Sequence, residues 1–277
     1  MKKIWFILSM VVLFNAYAHY SHEGKYIETN PNKGDFIVLT IPKSGSYLLN
    51  KCLILAIDKH IKNKNPKLTY NLQHCYISSN YYSGQTQVLQ KLRTKKKIVM
   101  IRDLRDVAVS LTNYLTLDII QSFCKMFPNT NYEYLAKWYN NLSYDDRLFS
   151  LINSDRNVVP LNHMKTQSNS AVYWMNTPNT YICKYEDLIG PQGNGTREKQ
   201  LNEIENIVQF LELDLKKEDV NFIADNLYGD SIVKTFTFRG GGIGQWENTF
   251  QLEHVKAFKE KLGKYLIEWG YEKDNNW

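Results

Sequence analysis

The sequence predicts an α/β fold, a single domain with a central parallel β-sheet flanked by helices. Three observations carry this. The runs Phe36–Leu39 (FIVL) and Lys97–Ile101 (KIVMI) are continuous in apolar or β-favouring residues, without alternation, as strands buried on both faces are. Helical patterns separate the candidate strands, which is what parallel neighbours need as crossovers. With 277 residues, 43% hydrophobic and 22% charged, the chain can build one sizeable core and has a globular composition.

The elements follow in order. Met1-Lys2-Lys3 is basic, Ile4 to Phe14 is almost wholly apolar, and Ala16-Tyr17-Ala18 offers a small-x-small cleavage site. That is the layout of a secretory signal peptide over residues 1–18. The apolar stretch is short of the roughly 20 residues that a membrane span needs. The expectation is export, periplasmic or secreted, with membrane anchoring by the uncleaved segment as the alternative. Cleavage removes two lysines and no acid, lowering the formal charge from +6 to +4. Residues 19–33 read as a flexible polar leader, and 34–277 as the folded domain.

Phe36–Leu39 is the first strand, and dense apolar residues from Tyr47 to about His60 predict a largely buried helix. Lys97–Ile101 is a second strand, with a helix from Val107 to Leu117. Residues 116–178 hold helical patches (YEYLAKWYNNL, AVYWM) between Asn, Ser and Pro punctuation, and read as a helical cap insertion that would shape an acceptor pocket. Thr180–Tyr185 (TYICKY) is a third strand. Leu201, Ile204, Ile207, Val208 and Leu211 place an amphipathic helix over 199–213. After a glycine-rich loop, Leu252–Trp269 reads as one last helix.

Charge and cysteines narrow the function. A mildly basic chain with no long Lys/Arg run beyond Lys95-Lys96-Lys97 suits a small polyanion at one site and not a nucleic-acid track. Cys52, Cys75, Cys124 and Cys183 lie far apart with no CxxC pair, which argues against a metal site and for mostly free thiols.

Three stretches carry chemistry. In LTIPKSGSYLL, from Leu39 to Leu49, a strand gives way to a lysine, a glycine turn and a helix. Backbone N–H groups and the helix dipole then point at one spot, which makes a phosphate seat. It is not a Walker A loop, because Lys43 precedes Gly45 and no GxxxxGK[ST] occurs. The second strand ends in IRDLRDVAVS, with Arg102 at its tip and Ser110 two turns into the next helix, both able to donate to a phosphate. The neighbouring Arg105 and Asp106 read as part of a solvated ion-pair cluster. In FRGGGIGQWENTF, Arg239 precedes three glycines and Trp246 follows them, which suggests a loop whose backbone closes over a ligand.

Together these residues resemble the sulfotransferases that use 3′-phosphoadenosine 5′-phosphosulfate (PAPS). The family's PKSGTTW loop appears as Pro42-Lys43-Ser44-Gly45-Ser46-Tyr47-Leu48 and its RNPKDxxVS motif as Arg102 to Ser110. Its YEDL box is Tyr185-Glu186-Asp187-Leu188, and its RKGxxGDWKN motif is Arg239 to Asn248. The four stand in the family's order across nearly the whole chain. The resemblance implies a P-loop-like phosphosulfate-binding loop in which Lys43, Ser44, Gly45, Ser46 and Tyr47 hold the 5′-phosphosulfate. Arg102, Ser110 and Arg239, with the Gly240-Gly241 backbone, would hold the 3′-phosphate, and Tyr185 would sit near the adenine. This chain departs at Leu48, where the family stacks a tryptophan on the base, at Gly240 for a lysine, and at Gln245 and Glu247 for an acid and a base.

The expected reaction is sulfuryl transfer from PAPS to a hydroxyl or amine of a small-molecule or glycan acceptor, leaving adenosine 3′,5′-bisphosphate (PAP) and requiring no metal. The chemistry needs a cation at the departing oxygen, for which Lys43 is placed, and a base at the acceptor. The family draws that base from a histidine between the first two motifs. Of His60 and His74, the first ends the buried helix, pointing away from the loop, so His74 in LQHCY is the candidate. Two other readings stay open: a P-loop-type kinase on a related fold, which would want a Walker lysine, and a non-catalytic nucleotide-binding protein.

Overall fold

The computed structural model describes residues 36–64, 72–76, 93–115, 137–153, 164–229 and 241–277. The predicted signal peptide and leader, Arg239, Gly240 and Cys124 lie outside them.

Four parallel strands form the described sheet: β1 (Phe36–Thr40), β2 (Leu72–Tyr76), β3 (Lys96–Ile101) and β4 (Thr180–Lys184), in the order β2-β1-β3-β4. Val38 pairs with His74 on one side and Ile98 on the other, and Ile98 pairs with Tyr181. The chain steps from β1 to one side and returns to the other, so the order reverses between β1 and β3. In open α/β sheets, the crevice beyond the carboxyl ends of such a pair is where ligands bind.

All five β1 residues are buried because each face of the strand meets a helical layer. Phe36, Val38, Ile98 and Met100 face α1 (Ser46–Lys64) through Leu49, Cys52, Leu53 and Ala56, together with helices α6 (Arg197–Phe210) and α7 (Lys217–Leu227). Ile37, Leu39, Val99 and Ile101 face α2 (Leu104–Tyr114), α3 (Tyr144–Asn153), α4 (Met164–Met175), α8 (Leu252–Lys261) and α9 (Gly263–Glu268). The period of two thus sorts one apolar run between two cores. Leu148, Ile152, Ala171 and Trp174 belong to the second core, so the described part of 116–178 is integral to that layer.

Several boundaries differ from the sequence reading. α2 begins at Leu104, three residues early, because the Asp103 carboxylate accepts the Arg105 N–H at 2.9 Å and caps it. The expected single helix over 252–269 divides at Leu262, whose N–H bonds the Phe258 carbonyl at 2.8 Å before Gly263 restarts the turn. Helix α7 escaped the sequence reading altogether. Cys52 and Cys183 are free and fully buried in the first core, where burial pushes the Cys52 thiol up to about 12.

Candidate active site

The loop after β1 is built from its own backbone. Ser44 is fully buried; its N–H and hydroxyl both bond the Ile41 carbonyl, at 3.0 and 2.7 Å, and close a tight turn. Thr40 and Ser46 hydroxyls pair at 2.7 Å across the strand–helix junction. The turn needs a left-handed backbone at Lys43 (φ 69°) and at Gly45 (φ 107°). A Cβ on Gly45 would overlap the Tyr185 ring and come within 2.9 Å of the Met100 methyl. The first α1 bond in this turn runs from Leu49 N–H to the Gly45 carbonyl at 3.1 Å, so the amides before it have no carbonyl one turn back. The Lys43 ammonium lies 4.3 Å from the centre of the Tyr114 ring, at the end of α2, and Tyr47 is exposed at the start of α1.

The loop after β3 supplies Arg102, which is buried. Its guanidinium donates to the carbonyls of Lys43 at 3.3 Å and Gly242 at 3.0 Å, and stacks 4.2 Å from the Tyr185 ring. One side chain therefore touches the first, third and fourth motifs. Its Nε is buried with no hydrogen-bond partner among the described residues, an orphaned donor in a charged group. Ser110 lies two turns along α2 and is half-buried.

The tyrosine of YEDL, which opens the short helix α5 (Tyr185–Leu188), is a strut. Tyr185 is 4% exposed, packs on Gly45 and Arg102, and donates its hydroxyl to the Gly241 carbonyl. Burial pushes its phenol up to about 12, with Arg102 opposing. Glu186 beside it accepts the Asp103 N–H at 2.9 Å and the Tyr271 hydroxyl at 2.7 Å.

Arg105 and Asp106 overturn the reading of a solvated cluster: they are 3% and 1% exposed. The Asp106 carboxylate accepts the N–H groups of Gly244 and Trp246, at 2.9 and 3.0 Å, and its Oδ2 lies 3.7 Å from the Arg102 guanidinium. Burial raises the Asp106 pKa, against Arg102 and the two N–H groups, which favour the anion. Arg105 pairs with Asp103 and with Glu272, both at 2.6 Å. Apart from Arg102 and Asp103, these partners are more than a hundred residues away, so no local pattern announces them.

His74 is the third of five residues in β2, paired with Val38, two positions before the strand end that faces the loop. His60, set aside as the base, is buried and accepts the Asp214 N–H on Nδ1 at 2.7 Å, closing α1 onto the turn before α7.

Comparison with known proteins agrees with this geometry. The chain matches the family model described as sulfotransferase domain over residues 33–270. A mouse sulfotransferase complexed with PAP superposes with a TM-score of 0.59 at 16% identity, covering 88% of this chain and 86% of that one. Retinol dehydratase, in complex with androsterone and inactive cofactor PAP, gives 0.55 at 13% identity, covering 86% and 81%. At such identities the likeness shows the fold. No match was found among curated protein sequences.

Proposed function

The chain belongs to the sulfotransferase domain family, and we propose that it transfers a sulfuryl group from PAPS to a hydroxyl or amine of a small-molecule or glycan acceptor. The observation that carries the reading is the convergence on Arg102: the Lys43 turn, the Tyr185 strut and the Gly241–Gly244 segment meet there, at the reversal point between β1 and β3. Two features fit a bound phosphate. The Arg102 Nε is a buried donor with no acceptor among the described residues, and α1 opens directly from the left-handed turn at Lys43 and Gly45. Both superposed proteins are complexes with PAP, which supports the same donor.

When bound, PAPS supplies an activated sulfuryl group, and transfer leaves added negative charge on the departing phosphate oxygen. Lys43 and the first-turn amides of α1 would neutralise that charge where it grows. Arg102 and Ser110, with Arg239 and the Gly240-Gly241 backbone, would orient the nucleotide by its 3′-phosphate. Tyr185 would act beside the base, and His74 would take the acceptor proton. The segment 116–178 would shape the acceptor pocket. Export remains our reading of residues 1–18; a mature N-terminus at His19 supports it, and intact Met1 on soluble protein refutes it.

Incubation with PAPS and a mixed acceptor extract, followed by mass spectrometry, tests the proposal. A sulfated product dependent on Lys43 is the expected result. PAP binding with no product across phenol, sugar and amine panels would favour a non-catalytic nucleotide-binding protein.

A further inference from the structure

The family match ends at residue 270, yet the segment beyond it reaches three of the four motifs. Tyr271 donates its hydroxyl to Glu186 of the YEDL box at 2.7 Å. Glu272 pairs with Arg105 of the second motif at 2.6 Å. Trp277 lies over the same guanidinium, 4.5 Å from ring centre to Cζ, while Trp246 of the last motif lies 3.9 Å from it. The two indoles meet edge to face at 5.7 Å. Lys259 and Phe258 of α8 flank Trp277, at 4.9 and 6.2 Å from its ring centre.

Arg105 is thus a buried cation shared between two indoles and two carboxylates. Its contacts bear on the ligand loop, because Trp246 is where that loop ends and its N–H is fixed by Asp106. From Trp246 the chain runs back through Gly244, held by the same carboxylate, to Gly242 and Gly241, which bond Arg102 and Tyr185. Gly241, Gly242 and Gly244 give that stretch little rigidity of its own. Its order must come from its anchors.

We propose that residues 271–277 act as a strap that positions the donor loop, with Trp277 and Glu272 as positioning residues acting through Arg105 and Trp246. The effect on the donor rests on the sulfotransferase reading; the effect on the loop does not. The strap is fastened to the donor loop, so its loss falls on donor affinity and donor KM more than on kcat.

The test uses the full chain, Trp277→Ala, Trp277→Phe and Glu272→Gln. Amide hydrogen exchange is followed at Gly244 and Trp246, and PAP binding by calorimetry. We expect faster exchange at those two amides in Trp277→Ala, with the sheet amides unchanged. PAP binding should weaken about tenfold, the scale of a desolvated cation–π contact, and Trp277→Phe should recover most of both. Glu272→Gln should show the same loop effect, which keeps the test alive if Trp277→Ala folds poorly. Unchanged exchange at Gly244 and Trp246 in both Trp277→Ala and Glu272→Gln overturns the strap. Faster exchange in a protein whose unaltered form binds no PAP upholds the strap and refutes the donor reading.

Discussion

The carboxylate of Asp106 accepts the backbone N–H of Gly244 at 2.9 Å, across 138 residues of sequence. With the bond to Trp246 N–H, this fastens the last motif to the helix that carries most of the second. Asp106→Asn replaces one acceptor oxygen by an NH2 that faces an N–H donor. Each buried group left unpaired costs about 1–3 kcal/mol. Denaturant unfolding should show a loss on that scale, and PAP affinity should fall with it. A variant as stable and as tightly binding as the parent would show that the loop is held by other contacts.

Arg102 makes a separable prediction, because its proposed partner is one group of the donor. Arg102→Ala should weaken binding of PAP by about 1.5–3 kcal/mol, the usual worth of a charged hydrogen bond. The same change should matter far less for the analogue lacking the 3′-phosphate. Calorimetry with both ligands reads the difference. Equal losses would mean that Arg102 serves the loop through the Lys43 and Gly242 carbonyls and does not read the phosphate.

Lys43 and His74 divide chemistry from binding. On the proposed mechanism, Lys43→Ala removes a charge that would face the departing oxygen, where the transition state carries more charge than the ground state. Turnover should therefore fall further than donor affinity. His74→Ala should lower turnover by about a hundredfold to ten-thousandfold, as loss of a positioned base does, with donor affinity nearly unchanged. Activity retained in His74→Ala and lost in Lys43→Ala would move the base elsewhere, with His163 next to test. Retained activity in both would refute the mechanism.

Stability should depend on pH through Lys97. Its side chain is fully buried in β3, with the ammonium donating to the carbonyls of Arg93 at 3.0 Å and Pro178 at 2.7 Å. Burial lowers its pKa from 10.5 to about 8. Between those values the unfolded chain binds more protons than the folded one, so stability rises with pH across that window. Below pH 8 the penalty is constant. Relative to Lys97→Met, the parent should gain on the order of 1–3 kcal/mol between pH 8 and 10.5. A flat difference curve in denaturant melts would refute this.

The parts legible in the sequence are those whose causes are local. FIVL and KIVMI read as strands because burial on both faces demands continuous apolar residues. The Lys43–Ser46 segment read as a tight turn between strand and helix because a glycine and a helix start follow one another in the chain. The burial of Arg105 and Asp106 was illegible, since two such charges look solvated until Trp246, Gly244, Glu272 and Trp277 arrive from the far end. The break at Leu262 was hidden too, for Leu252–Trp269 keeps its apolar spacing through it. Tyr185 was assigned from its motif to the adenine, and nothing in the motif shows that its ring also fills the space left by Gly45.

The two buried thiols give the first core a built-in reporter. Cys52 and Cys183 have no exposed surface, and burial holds both thiols in the unreactive protonated form far above neutral pH. An alkylating reagent can reach them only when the first core, which both thiols share with α6 and α7, opens. The rate at which peptides containing Cys52 and Cys183 become labelled, read by mass spectrometry, therefore times the opening of that core in the native protein. Ligands that bind the folded chain should slow both labels together, so a mixture of candidate donors or acceptors can be screened without any turnover being observed.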